Sequence, residues 1–258
     1  METTSPATLL QRVSSPGYAS KVSEVALRLT RATEPSLMQS LMCEGTRALG
    51  AESAVFMSLA REGAEVSTGH FMLACEPEWC RQYLAAGLIA HDIWLAYAAH
   101  HSQPVLSSSL YAADTSQRQA IDLAAHHGFA SAVLVPAHSG GGPSRMGLLC
   151  LGSSRPGFFE AQGCDVFMLY ARMLALALHD GWLTRLRRDL IVKARITPSD
   201  VVLLRHEWHG HTSKRIAAEL QVSKNSVNCR FQRMNARLGV VNRRTAARLA
   251  VECGLILP

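Results

Sequence analysis

The chain has 258 residues, 48% of them hydrophobic and 18% charged, which is enough apolar matter for a buried core and too much for a disordered chain. Its seven cysteines (43, 75, 80, 150, 164, 229 and 253) are odd in number and form no C-x-x-C pair, which argues against a disulfide framework or zinc ribbon and for reduced thiols in a cytoplasm. The net charge of +6 is unevenly divided, since residues 1–182 hold 11 Lys/Arg against 15 Asp/Glu and residues 183–258 hold 15 against 5.

Met1 to Ser20 is rich in Ser, Thr and Pro, with no cationic stretch leading into an apolar one, and does not read as a secretory signal. No apolar run reaches the roughly 18 residues of a spanning helix, so no membrane partner is expected. Residues 1–19 read as a flexible tail. Residues 20–49 predict two amphipathic helices broken at Glu34-Pro35, and 53–72 alternates like two strands around Arg61-Glu62-Gly63. Helices are predicted at 76–86, 93–101 and 114–127, and short buried strands at Ala132–Pro136 and Met146–Gly152, joined by the loop Ser139 to Pro143. A long helix over Glu160–His179 closes the region. Interleaved strands and helices with tight turns predict an α+β domain over 20–180, an α/β/α sandwich around an antiparallel sheet that can hold a small ligand between sheet and helices.

Within this region Trp79 and Tyr83 are four residues apart, so on a helix they share a face and present two rings with polar tips. Asp92 follows between Leu88-Ile89-Ala90 and Ile93-Trp94-Leu95, where a carboxylate needs a donor that a ligand amide N–H supplies. Read as residues alone, aromatics at helical spacing are more often core, and an Asp after an apolar stretch is more often a helix cap.

Residues 181–195 (GWLTRLRRDLIVKAR) form a charged segment read as a linker, and 196–258 a small, strongly basic module of four helices, a pattern that points to a polyanion partner. Thr197-Pro198 opens the first helix as N-cap and N1, with Val201, Leu204, Arg205 and Trp208 at helical spacing and Gly210 as its stop. Ile216, Ala217 and Leu220 stripe a second helix behind Ser213. Ser223 caps a third, Lys224–Leu238, with Val227, Phe231, Met234 and Leu238 inward and Asn228, Arg230, Gln232, Arg233 and Arg237 outward. Gly239 ends it, and Arg243–Glu252 is the fourth. Two short helices joined by a tight turn, the second polar and basic outside, make a helix-turn-helix whose second helix enters the major groove.

The run TPSDVVLLRHEWHGHTSKRIAAELQVSKNSVNCRFQRMNARLGVVNRRTAARLAVECGLI resembles the DNA-binding domain of LuxR-type transcription regulators. It shares the Thr-Pro-x-acid start, G-x-T before the second helix, IA-x-x-L, the S-x-x-(S/T)-V entry, LGV, the Asn/Arg pair and the terminal GLI. It departs from the family at His211, Arg215, Asn228 and Arg230, where Lys, Glu, Lys and His are usual. The preceding region is similar to the autoinducer-binding domain of quorum-sensing regulators, whose W-x3-Y-x8-D pattern falls on Trp79, Tyr83 and Asp92. The resemblance implies that Tyr83 and Asp92 hydrogen-bond the acyl amide of an N-acyl homoserine lactone. The departures here are Ile93 in place of Pro, Ser107 near the family's lactone-binding Trp, Cys150 for a Ser or Thr, and Ala132 for a Gly. With Phe129, the residues Trp79, Tyr83, Asp92, Ser107 and Cys150 make the expected ligand site.

The sequence is thus identified as a cytoplasmic, homodimeric, DNA-binding transcription regulator of the LuxR type, with a small-molecule signal and no cofactor or catalytic residues. Ser223, Lys224, Asn225, Asn228, Arg230, Gln232, Arg233, Arg237, Asn242 and Arg243 are expected on double-stranded DNA. Two rivals stand beside it. One is an orphan regulator that acts through DNA and protein partners without a ligand. The other is a small-molecule hydrolase with a basic tail, for which the chain offers no nucleophile–base pair. The Gly140 to Gly142 run lacks a G-x-S-x-G elbow or a phosphate-loop Lys. His206, His209 and His211 straddle a helix end without a matching ligand cluster and read as a surface group, not a metal site. The doublets His100-His101 and His126-His127 read as exposed helix ends.

Overall fold

A computed structural model of the chain describes residues 7–62, 65–138 and 145–257. The expected turn at Gly63 and the loop Ser139 to Pro143 therefore lie outside the described residues. The chain divides into two units, the first ending at Gly181 and the second running from Trp182. The first unit is an α+β sandwich around an antiparallel sheet, and the second is an all-α helix-turn-helix module.

In the first unit, helices α1 (Leu9–Val13), α2 (Tyr18–Leu29) and α3 (Pro35–Leu49) lead into strands β1 (Ser53–Glu62) and β2 (Glu65–Ala74). Pro35 occupies the first turn of α3, where its missing N–H costs nothing, and Gly50 ends that helix at a φ of 89°. Helices α4 (Pro77–Ala85) and α5 (Ile93–His100), the two-residue strand β3 (Val105–Leu106) and α6 (Thr115–Ala124) follow. Strands β4 (Ser131–His138) and β5 (Arg145–Ser153) then lead to α7 (Cys164–Lys193). The sheet order is β2-β1-β5-β4-β3, with every pairing antiparallel.

Both faces of the sheet are covered, so its central strands carry little alternation between apolar and polar residues. Every described position of β5 is buried. Val55, Met57 and Leu59 of β1, with Met146, Leu148 and Cys150 of β5, face a cluster that includes Trp79, Tyr83, Trp94 and Phe129. The opposite face meets α7, where a Cβ built on Gly147 lies 2.7 Å from His179 Nδ1 and 3.2 Å from Phe56. Helix α7 in turn packs on α3, because Gly45 leaves room for the Leu174 side chain, and on α2, because Gly181 approaches the carbonyl of Leu29.

Several elements differ from the sequence reading. The stretch expected as a tail contains α1, a single helical turn closed by a capping box between Thr8 and Gln11, with Leu9 fully buried. Helix α7 starts four residues later than the periodicity predicts. Gly163 stands at a φ of 96°, and the carboxylate of Glu160 is taken by the hydroxyls of Ser108 and Ser131, each at 2.7 Å. At its other end α7 runs on through Lys193, so most of the segment read as a linker is helical. Strand β3 went unread because two residues paired with Val133 and Leu134 are too short to show alternation.

The second unit contains α8 (Pro198–Trp208), α9 (Ser213–Glu219), α10 (Lys224–Leu238) and α11 (Arg243–Glu252). Each helix starts on a side-chain cap: Thr197, Thr212, Ser223 and Asn242 accept from backbone N–H groups of the first turn. Leu203, Leu204, Ile216, Val227, Phe231, Met234 and Ala250 fill its core. Trp208 lies outside that core at 38% exposure. No described helix is long and apolar enough to cross a membrane.

Candidate functional site

The four-residue spacing on α4 brings Trp79 and Tyr83 together as expected, with stacked rings 5.0 Å between centroids and 19° between planes. Phe129, just before β4, lies 6.0 Å from Trp79, and Trp94 lies 6.4 Å from Phe129. All four side chains are buried. At the edge of this aromatic group the Tyr83 hydroxyl donates to Asp92 Oδ2 at 2.5 Å. The other oxygen, Oδ1, accepts from the backbone N–H of Trp94 at 2.7 Å and of Leu95 at 3.4 Å. Asp92 is therefore both the N-cap of α5 and the hydrogen-bond partner of Tyr83.

Burial pushes the Asp92 carboxyl up from its ordinary value, against the pull of the three hydrogen bonds it accepts. Burial first, then the neighbouring Asp92, drives the Tyr83 phenol far up, so it remains a donor. The Cys150 thiol is raised by burial and then by Asp92, and Cys75 is pushed up to about 12, again by burial first. These thiols act here as small apolar groups rather than as nucleophiles.

Two donors in this group have no acceptor among the described residues, the indole N–H of Trp79 and that of Trp94. Leaving a buried donor unsatisfied costs about 1–3 kcal/mol. Trp94 was not read from the sequence as a site residue, although its position two residues after a capping Asp was the available signal. Cys150 and Ala132 join the same core cluster, and Ile93 packs against it. Ser107 is not shown against this group. It opens the short turn after β3, half-buried, with its carbonyl accepting from the N–H of Leu110.

In the second unit the helix-turn-helix is held by polar links as well as by its core. Ser213 Oγ donates to Asn228 Oδ1 at 2.9 Å and accepts from Arg243 Nη1 at 2.8 Å. Arg243 Nε pairs with Glu207 at 2.9 Å, and its guanidinium lies 5.7 Å from the centre of the Phe231 ring. Arg237 donates to the carbonyl of Arg195 and to Asp200 Oδ2, both at 2.7 Å. Two of the cations expected on phosphate are thus engaged within the module, and Asn228 is half-buried against α9 rather than fully outward.

The solvent face of α10 presents Asn225, Cys229, Gln232 and Arg233, all exposed, with Lys224 at its start and Arg230 half-buried on the flank. Cys229 is not among the expected residues, although its place two residues after the inward Val227 puts it on the outer face of the helix. Arg230, Arg233 and Arg237 line one surface depression together with Thr197 and Ser199. Ser223 and Asn242, both expected on DNA, are occupied as helix caps.

The family model described as "Autoinducer binding domain" matches residues 37–181, and the one described as "Bacterial regulatory proteins, luxR family" matches 196–250. No curated protein matches the chain by sequence. Among solved structures, SdiA in complex with octanoyl-rac-glycerol has a TM-score of 0.72 at 18% identity, covering 95% of this chain and 98% of that one. Escherichia coli SdiA in another crystal form has a TM-score of 0.71 at 18% identity, covering 93% and 100%. The N-acylhomoserine lactone-dependent factor CepR2 from Burkholderia cenocepacia has a TM-score of 0.56 at 16% identity, covering 66% and 99%. At these identities the likeness is one of fold.

Asp200 gives a measurable consequence of this geometry. Burial alone would raise its carboxyl, but the N–H of Thr197 and the Arg237 guanidinium together hold it below the ordinary value. Its contribution to stability is therefore present above about pH 3.9 and lost as pH falls through the depressed value. Asp200→Asn should cost about 1.5–3 kcal/mol in urea unfolding at neutral pH. The gap from the native chain should close in acid, and a gap that is constant with pH would refute this role.

Proposed function

Since the chain belongs to the luxR family of bacterial regulatory proteins and carries an autoinducer binding domain, we propose that it is a transcription regulator whose N-terminal domain binds an N-acyl homoserine lactone. The observation that carries this reading is the donor–acceptor balance around Asp92. Two buried indole N–H groups have no acceptor among the described residues, and the buried carboxyl of Asp92, bonded to Tyr83 of the same group, has lone pairs to spare. An N-acyl homoserine lactone has two carbonyls that accept and one amide N–H that donates, the complementary set. Its acyl chain suits the apolar surroundings supplied by Leu88, Phe129, Leu134 and Leu148. Trp94 offers a donor in place of the family's lactone-binding indole, which this chain lacks at Ser107.

The signal is tested by thermal shift of the full chain against lactones of graded acyl length, with 1-octanoylglycerol beside them because the similar SdiA structure holds that compound. A ligand at 100 times its Kd adds about 2.7 kcal/mol, or roughly 5–11 °C for a domain of this size. Asp92→Asn should abolish the shift. A response to the acylglycerol alone would replace the lactone with an acyl ester. No shift with any compound, in protein that binds DNA, would leave the orphan reading.

Double-stranded DNA is the proposed partner of the second unit, with Asn225, Gln232 and Arg233 of α10 toward the bases and Lys224 and Arg230 toward phosphates. The balance of +10 over residues 183–258 supports a phosphate-driven affinity. Arg233→Ala should weaken binding and make its logarithmic salt dependence shallower by about one unit. A gel-shift series across salt with unchanged affinity and slope would remove Arg233 from the interface.

We also propose a cytoplasmic homodimer, with two α10 helices on half-sites about one helical turn apart. In its support, α7 exposes Val166, Leu169 and Leu176, at 42%, 66% and 39%, along one stripe that also contains Met173. Leu169→Glu should convert the dimer to a monomer in analytical ultracentrifugation. A variant that sediments as the native chain does would exclude this stripe.

A further inference from the structure

Three ionisable side chains of the second unit converge where α8 turns into α9. His206 lies in the last turn of α8, and Gly210 reverses the chain at a φ of 72°. His211 follows it, and Glu219 is the last residue of α9. The Nδ1 atoms of His206 and His211 are 2.9 Å apart, and Glu219 Oε2 lies 3.4 Å from His206 Nδ1. One ligand atom from each of the three lies within 4.8 Å of the other two. Both histidines are half-buried and the glutamate is exposed.

With metal–nitrogen and metal–oxygen bonds of about 2.0–2.2 Å, neighbouring tetrahedral ligands stand roughly 3.4 Å apart. The His206–Glu219 edge has that length, the His206–His211 edge is shorter at 2.9 Å and the third lies within 4.8 Å, so small side-chain rotations would bring all three ligand atoms to one ion. The other oxygen of that carboxylate, Oε1, already accepts from Arg215 Nε at 2.7 Å, which keeps Oε2 turned toward the histidines. In the metal-free molecule one imidazole donates its Nδ1 proton to the Nδ1 lone pair of the other, which is protonated on Nε2. On metal binding the donor ring tautomerises, losing its Nδ1 proton and taking one up on Nε2 through water, so both Nδ1 lone pairs face the ion and neither electrons nor net protons are exchanged.

We propose that His206, His211 and Glu219 form a binding site for a divalent transition-metal ion of the zinc(II) class, clamping the end of α8 to the end of α9 within the helix-turn-helix. Two imidazoles and one carboxylate suit zinc, whereas magnesium and calcium prefer all-oxygen shells. His209, whose ring centre is 6.0 Å from that of His211, or water completes the fourth position. The three histidines alone read as a surface group in the sequence. Glu219, eight residues past His211, supplies the ligand that local spacing could not reveal.

The test uses the full chain without an affinity tag, stripped by chelator and titrated with zinc chloride by calorimetry, with magnesium chloride as control. Cobalt chloride reports the ligand type, because nitrogen and oxygen ligation gives visible bands without the near-ultraviolet absorption of a thiolate. One equivalent of zinc should bind and magnesium should not. His211→Gln and Glu219→Gln should each weaken zinc by about tenfold or more, as loss of even an outer partner commonly costs 10–100-fold. Glu219 is exposed, so its variant retains the fold, and far-ultraviolet circular dichroism verifies this for both. Absence of zinc binding, a thiolate spectrum, or affinity unchanged in both variants would overturn the site.

Discussion

The first unit turns on the hydrogen bond between Tyr83 and Asp92. A buried carboxylate pays a large desolvation cost, and it is tolerated because three donors converge on it. Two of those donors are the backbone N–H groups that open α5, and the third is the hydroxyl of α4. One residue thus sets the start of one helix and ties it to another. Removing the carboxylate would cost the cap and the tyrosine's partner together.

Around that bond the site is mostly apolar, with two indole donors that no described residue satisfies. Native interiors rarely leave such groups unpaired. The proposed acylated ligand, with its carbonyl acceptors, would relieve them and be held by the same surface that packs the core. Binding and folding of the first unit would then draw on the same contacts, so a signal would act as part of the core rather than as an ornament on it.

The second unit solves a different problem, since a module with three times as many basic as acidic residues must hold its helices against its own repulsion. It does so by pairing selected arginines inward. Arg237 closes on Asp200, and Arg243 reaches Glu207 and Ser213, while Lys224 and Arg233 stay outward on α10. Cations that look equivalent in the sequence are divided between those paired within the module and those left on its surface. The division depends on which of them meets a carboxylate from another helix.

Local physics made much of this legible in the sequence. The caps Thr197 and Ser223, the apolar stripe of Val227, Phe231 and Met234, and the turn glycines act within a few residues, so their spacing determined the starts of α8 and α10 and the end of α10. The four-residue interval of Trp79 and Tyr83 likewise determined a shared face, and the charge division marked the basic module. Tertiary structure decided the rest, because it rests on contacts between residues far apart in the chain. Strand β3 exists only through its pairing with β4, Trp94 joins the site only through the packing of α5, and Glu219 meets His206 only across the turn between α8 and α9. No periodicity within one segment records what a neighbouring element will bring against it.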